Sequence, residues 1–109
     1  MHELSIAQSI VDAICTRADG QLVRRVTVRI GTLTAVVPDA LRFCFALAVE
    51  GTVAEGARLD IEHRLAAGRC RDCGADFALP DPILLCPCGS ADVAVTAGRE
   101  LQIVSMEVG

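Results

Sequence analysis

Four cysteines constrain this chain more than any other feature in it. Cys70-Arg71-Asp72-Cys73-Gly74 is followed, after twelve intervening residues, by Cys86-Pro87-Cys88-Gly89-Ser90. The segment from Gly68 to Asp92 that carries them is rich in Gly, Pro and Asp. It holds too few large apolar residues for a core of its own, so something other than hydrophobic burial must fold it. Two close Cys pairs, each ending in Gly, match what a tetrahedral metal needs: tight turns whose backbone N–H groups point at the sulfurs, with Gly supplying the unusual backbone angles at the exit. Four thiolates fill every position of a zinc ion, so the expected site is structural and closed to water. The same cysteines could instead be redox thiols or ordinary buried residues, but spacing and compartment favour zinc. One departure stands out. The second pair is C-x-C where a zinc ribbon normally has C-x-x-C, which tightens the second knuckle and predicts strained coordination and weaker zinc binding.

What the composition lacks excludes several chemistries. The 109 residues include no Lys, Asn, Trp or Tyr, only two His and three Phe. There can be no Schiff-base or P-loop lysine, and few aromatic platforms for stacked bases. Lys and Arg number 10 against 14 Asp and Glu, a net charge of -4, which argues against a nucleic-acid backbone as partner. The opening residues lack the basic and apolar regions of an export signal, and the longest apolar stretch, Phe43 to Val49, is far too short to span a bilayer. The expectation is a soluble, cytoplasmic protein of about one domain, where paired cysteines more often hold metal than form disulfides. Cys15 and Cys44 lie on apolar helix faces and read as core residues.

Periodicity sets the elements. Leu4, Ala7, Val11, Ile14 and Ala18 fall at helical intervals, with Ser5 and Gln8 spaced as a capping box and Gly20 as a stop. Residues 22–30 alternate as a half-buried strand. Pro38 opens a second, mostly apolar helix running toward Gly51, and residues 57–65 alternate again. Residues 93–96 suit a short strand. In residues 100–108 neither face is clearly polar, which predicts a strand within a sheet covered on both sides. The fold expected is α+β: two helices on a three-stranded sheet with an inserted zinc-ribbon-like module. Its domains would be residues 1–65 completed by the C-terminal strand 97–109, and an inserted zinc-binding domain at 66–96.

The histidines differ in kind. His63 sits among Leu59, Ile61 and Leu65 and reads as a partly buried strand residue without metal. At the start of the chain, the amine of Met1, the following backbone nitrogens and the His2 imidazole lie within a few bonds of one another. They could close fused chelate rings in the flat, nitrogen-rich coordination that suits Ni(II) or Cu(II) better than zinc. Read alone, a Met-His start is ordinary.

Taken together, several motifs resemble the HypA/HybF family of hydrogenase nickel-incorporation proteins. They are the opening Met1-His2-Glu3 before a helix, Ile30-Gly31-Thr32-Leu33, the C-x-x-C-G and contracted C-P-C-G-S pairs, and the closing Gly98-Arg-Glu-Leu-x-Ile-x-Ser-x-Glu-Val108. The resemblance covers nearly the whole chain in order. It implies a cytoplasmic nickel metallochaperone, not an enzyme, that accepts Ni(II) for the large subunit of [NiFe]-hydrogenase, with a role in urease maturation in some members. It implies a GTPase partner, HypB, and allows a homodimer; no nucleic acid or membrane is called for. Nickel would belong on Met1, His2 and Glu3, and zinc on Cys70, Cys73, Cys86 and Cys88. Two other readings compete. A zinc-ribbon nucleic-acid or protein-binding module needs a basic face, and here Arg64, Arg69 and Arg71 are offset by Asp72, Asp76, Asp81 and Asp92. A zinc hydrolase needs an open metal position, which four sulfurs do not leave.

Overall fold

The computed structural model describes residues 3–109. In chain order it contains helix α1 (Glu3–Ala18), strand β1 (Val23–Gly31), a 3-10 turn (Thr32–Thr34), helix α2 (Pro38–Ala48), strands β2 (Arg58–Arg64), β3 (Ala67–Cys70), β4 (Asp76–Ala78) and β5 (Val93–Ala97), and strand β6 (Leu101–Val108). These form two three-stranded sheets, ordered β2-β1-β6 and β4-β3-β5. The fold is therefore α+β. No described helix is long and apolar enough to cross a membrane.

Two compact units divide the chain. One comprises the residues through Arg29 together with Val36–Glu62 and Gln102–Gly109; the other comprises Ile30–Ala35 and His63–Leu101.

In the first unit α1 and α2 pack on each other. Their buried stripes are Ile6, Ala7, Ile10, Val11, Ile14 and Ala18 on α1, and Leu41 and Phe45 on α2. Each set recurs at three- and four-residue steps, the spacing that brings side chains onto one helix face. Val26 and Val28 of β1 add the inner face of a strand to this core, Val23 is buried at the strand's start, and Arg25, Thr27 and Arg29 stay partly exposed. Pro38 occupies the first turn of α2, where its missing N–H costs nothing.

Three sequence expectations are corrected here. Ser5 lies inside α1, which already includes Glu3, so Ser5 and Gln8 do not cap it. The last strand is paired with β1 as expected, at the outer edge of the sheet, but it is not covered on both faces. Leu101, Ile103, Val104 and Val108 are all exposed. Cys15 and Cys44 are half-buried, not core residues.

In the second unit β3 lies between β4 and β5, antiparallel to both. Gly68 pairs with Phe77 on one side and Val95 on the other, and Cys70 pairs with Val93. Gly68 is where the sheet closes up, since a β-carbon there would meet Val93 Cγ1 at 2.7 Å.

Candidate metal centre

The first cysteine pair begins at the end of β3, and the second follows the loop after β4. Cys70 and Cys86 are 1% and 3% exposed and share a small apolar cluster with Val93, against which Phe77 and Leu84 pack. Cys73 and Cys88 lie on the exposed side.

Both pairs fold the same way locally. The Cys73 N–H donates to Cys70 Sγ at 3.4 Å, and the Cys88 N–H donates to Cys86 Sγ at the same 3.4 Å. Each turn is stapled behind the sulfurs: Cys70 N–H to Ala75 O at 3.0 Å, Cys86 N–H to Ser90 O at 2.9 Å. The contraction is absorbed in the backbone. In the longer pair the Gly74 N–H reaches back four residues to Cys70 O at 2.9 Å; in the shorter one the Gly89 N–H reaches back three, to Cys86 O at 2.8 Å. Both glycines then take left-handed angles, φ 76° and 95°, which a side chain resists.

The four sulfurs lie within 4.8 Å of one another. Cys70 Sγ is 3.7 Å from Cys88 Sγ, and Cys73 Sγ is 3.6 Å from Cys86 Sγ. Zinc–sulfur bonds of about 2.3 Å at tetrahedral angles would set the sulfurs about 3.8 Å apart, so the cluster is of the size and donor type that holds a cation such as zinc. The thiols are polarised unequally. The N–H of Cys73 draws the Cys70 thiol down to about 6 against the burial that opposes it. The Cys88 N–H acts likewise on Cys86, but burial and the thiols of Cys88, Cys73 and Cys70 outweigh it and push Cys86 up to about 12. A dication entering the cluster must therefore displace at least the Cys86 proton. With all four positions taken by protein sulfur, such an ion has no room to activate water.

Polar ties lock one knuckle to the other. Arg71 Nη1 meets Asp92 Oδ1 at 2.8 Å, and the Arg71 N–H donates to Asp92 O at 2.9 Å. Ser90 Oγ donates to Asp72 Oδ2. Sequence reasoning did not find these ties, nor Phe77, Leu84 and Val93 behind the sulfurs, because none carries metal-ligand spacing.

The other candidate residues are not part of this cluster. His63 is exposed on β2. Glu3 opens α1 and accepts a long bond, 3.4 Å, from the N–H of Val37 just ahead of α2. Met1 and His2, the leading nickel candidates, lie outside the described residues.

Comparison with known proteins supplies the remaining context. Residues 1–108 match the family described as hydrogenase/urease nickel incorporation, metallochaperone, hypA. The chain belongs to the HypA family. Among its relatives, the hydrogenase maturation factor HypA of Rippkaea orientalis is 46% identical over 109 residues, covering 99% of this chain and 96% of that protein. The HypA of Geotalea uraniireducens is 48% identical, with 99% of each covered. The solution structure of the Ni metallochaperone HypA from Helicobacter pylori superposes with a TM-score of 0.70 at 30% identity, covering 99% of this chain and 97% of that one. HypA proteins are maturation factors rather than enzymes, and this member brings Cys70, Cys73, Cys86 and Cys88 together in one cluster that could hold a metal ion.

Proposed function

We propose that this HypA-family chain is a cytoplasmic nickel metallochaperone: it takes up Ni(II) at its N-terminus and passes it to the large subunit of [NiFe]-hydrogenase during maturation. The GTPase HypB is the partner in that transfer, and a urease is a second recipient class. Zn(II) is held by Cys70, Cys73, Cys86 and Cys88 as a structural ion. The two metals divide the protein into a nickel-binding domain (residues 1–65 with 97–109) and a zinc-binding domain (residues 66–96).

The observation that carries this reading is the family match over residues 1–108 combined with a cluster whose four sulfurs would fill every position of one tetrahedral cation. An ion so enclosed is a poor cargo, so the delivered metal needs other ligands. Met1 offers an α-amine, His2 a backbone nitrogen and an imidazole, and Glu3 a carboxylate close by; nitrogen-rich donors of this kind suit Ni(II). A nucleic-acid-binding ribbon is disfavoured because the arginines near the knuckles are neutralised. Arg64 faces Glu100 at 3.4 Å, Arg69 faces Asp76 at 3.9 Å and Arg71 faces Asp92.

The test is metal analysis and calorimetry on three proteins: native, His2→Ala, and a form with two residues added ahead of Met1. Nickel binding is expected to be lost in both altered proteins while zinc content stays unchanged. Undiminished nickel affinity in the extended protein would overturn the terminal chelate.

A further inference from the structure

Two of the sulfur contacts in the cysteine cluster run crosswise between the knuckles: Cys70 Sγ to Cys88 Sγ at 3.7 Å, and Cys73 Sγ to Cys86 Sγ at 3.6 Å. Each joins a buried cysteine to an exposed one, since Cys70 and Cys86 are buried while Cys88 and Cys73 are exposed. That is the arrangement of a reactive thiol with a resolving partner, in which solvent reaches one sulfur and the other stands behind it. Holding a cation takes four sulfurs but does not require two of them to be open to solvent.

The contracted pair decides which sulfurs can bond. A disulfide inside Cys86-Pro87-Cys88 would close a ring over a single residue whose φ is fixed by its own side chain. Cys86 is also tied at both ends of its backbone, its N–H to Ser90 O and its carbonyl to the Gly89 N–H. The specific geometry a disulfide needs about both sulfurs is hard to meet there. The crosswise pairs carry no such constraint. Their sulfurs need only close to the S–S distance of about 2.05 Å. Arg71 with Asp92, and Ser90 with Asp72, already hold the two knuckles together while they do so.

We infer that the cluster is a reversible modification site for hydrogen peroxide, which oxidises it to two crosswise disulfides, Cys70–Cys88 and Cys73–Cys86, and empties it of metal. The inference rests on the reading of these four cysteines as the zinc ligands. The Cys88 thiolate attacks one peroxide oxygen; the O–O bond breaks, Cys88 becomes a sulfenic acid and hydroxide leaves. The Cys70 thiolate then attacks Cys88 Sγ, the S–S bond forms as the S–O bond breaks, and a second hydroxide leaves. Two protons from solvent turn both hydroxides into water, and the two electrons lost by the sulfur pair reduce one peroxide. A second peroxide takes Cys73 and Cys86 through the same steps. No thiolate is then left to hold a cation, yet the knuckles stay joined, now by covalent bonds that restrain the unfolded chain in the metal's place. A dithiol reductant returns the four thiols by exchange.

The test is titration of the full-length chain with hydrogen peroxide, following free thiols, released zinc, disulfide positions and backbone hydrogen exchange on the same samples. Free thiols are expected to fall from six to two, with Cys15 and Cys44 the two that remain, and zinc to leave in step. Cleavage after Arg71 separates Cys70 from Cys73, and stepwise reduction and alkylation assigns Cys86 and Cys88; the map should show Cys70–Cys88 and Cys73–Cys86. The oxidised chain should keep protection in β3, β4 and β5 without metal, and dithiothreitol should restore six thiols and zinc uptake. A Cys86–Cys88 bond overturns the inference. So do sulfinic or sulfonic acids in place of disulfides, a thiol count that stays at six, or an oxidised chain as unprotected in β3–β5 as one stripped by a chelator. A chain that holds no zinc before treatment contradicts the zinc assignment instead, and the disulfide map still reads the pairing.

Discussion

Gly31 and Gly98 mark a place where two backbone segments approach more closely than any side chain permits. A β-carbon on Gly31 would sit 2.1 Å from the carbonyl carbon and oxygen of Gly98, and one on Gly98, whose φ is 113°, would sit 2.7 Å from Ala66 Cα. The approach is held by the Leu33 N–H donating to Gly98 O at 2.8 Å and the Gly31 N–H donating to Glu100 O at 2.8 Å. Because the obstacle is backbone, no rotamer change relieves it. Gly31→Ala is therefore expected to cost about 3 kcal/mol or more in urea unfolding, well above an ordinary surface change. These two glycines fall in the motifs Ile30-Gly31-Thr32-Leu33 and Gly98-Arg99-Glu100-Leu101, which were legible in the sequence only as a resemblance. Their physical reason is a contact between residues far apart in the chain, which no local pattern carries. Asp60 gives a second prediction at this scale. Side-chain bonds from Arg25 and then Arg58 hold its carboxyl below the usual range, against a smaller opposing effect of burial. A depressed acid contributes stability above its unfolded pKa of about 4 and loses it as pH falls through the folded value. Asp60→Asn should thus lower stability at neutral pH by a margin that holds constant down to about pH 5 and shrinks below about pH 4, read from unfolding curves at each pH.

Helices and sheet strands of ordinary length were legible because burial writes a period into them. On α2, Leu41 is fully buried and Leu47 is 50% exposed, although both are leucines on one helix. Leu41→Ala should cost about 2–5 kcal/mol, and Leu47→Ala no more than about 0.5 kcal/mol, by chemical denaturation. A reversed order would mean that the helix packs through its other face. The sequence misled where period was absent or ambiguous. β3 and β4 span four and three residues and include Gly68 and Arg69, too short for an alternation to register. They are set by the pairing of Gly68 with Phe77 and Val95 and by the turns that carry the cysteines. β6 misled in the other direction. Apolar residues on both faces read as burial on both faces, but the strand lies at the sheet's outer edge with most of its side chains exposed, so composition alone does not report which faces are covered.

At the scale of the whole molecule, the two units differ in what holds them together. The first has a conventional core drawn from α1, α2 and β1. The second buries only three large apolar side chains, Ile30, Leu79 and Val93, with Ala66, and around its knuckles the buried cluster is Cys70, Cys86 and Val93 with Phe77 and Leu84 leaning on them, two of the three being sulfur. Apolar burial on that scale cannot offset the backbone entropy of ordering three short strands and two knuckles, roughly 1–2 kcal/mol per residue. A cation bridging all four sulfurs would make up the deficit, since binding free energy becomes folding free energy when the site exists only in the folded state. Stripping the metal with a strong chelator should therefore unfold one unit and spare the other. Hydrogen exchange is the measurement that resolves the two. Amides of β3, β4, β5 and both cysteine turns should lose protection, whereas those of α1, β1 and α2 should keep theirs, and helical circular dichroism should change little. Added zinc should return the lost protection, and Cys70→Ser should mimic the chelator without it. Uniform loss across the chain would show that the helical unit also depends on the metal, and unchanged protection in β3–β5 would show that apolar packing alone suffices there.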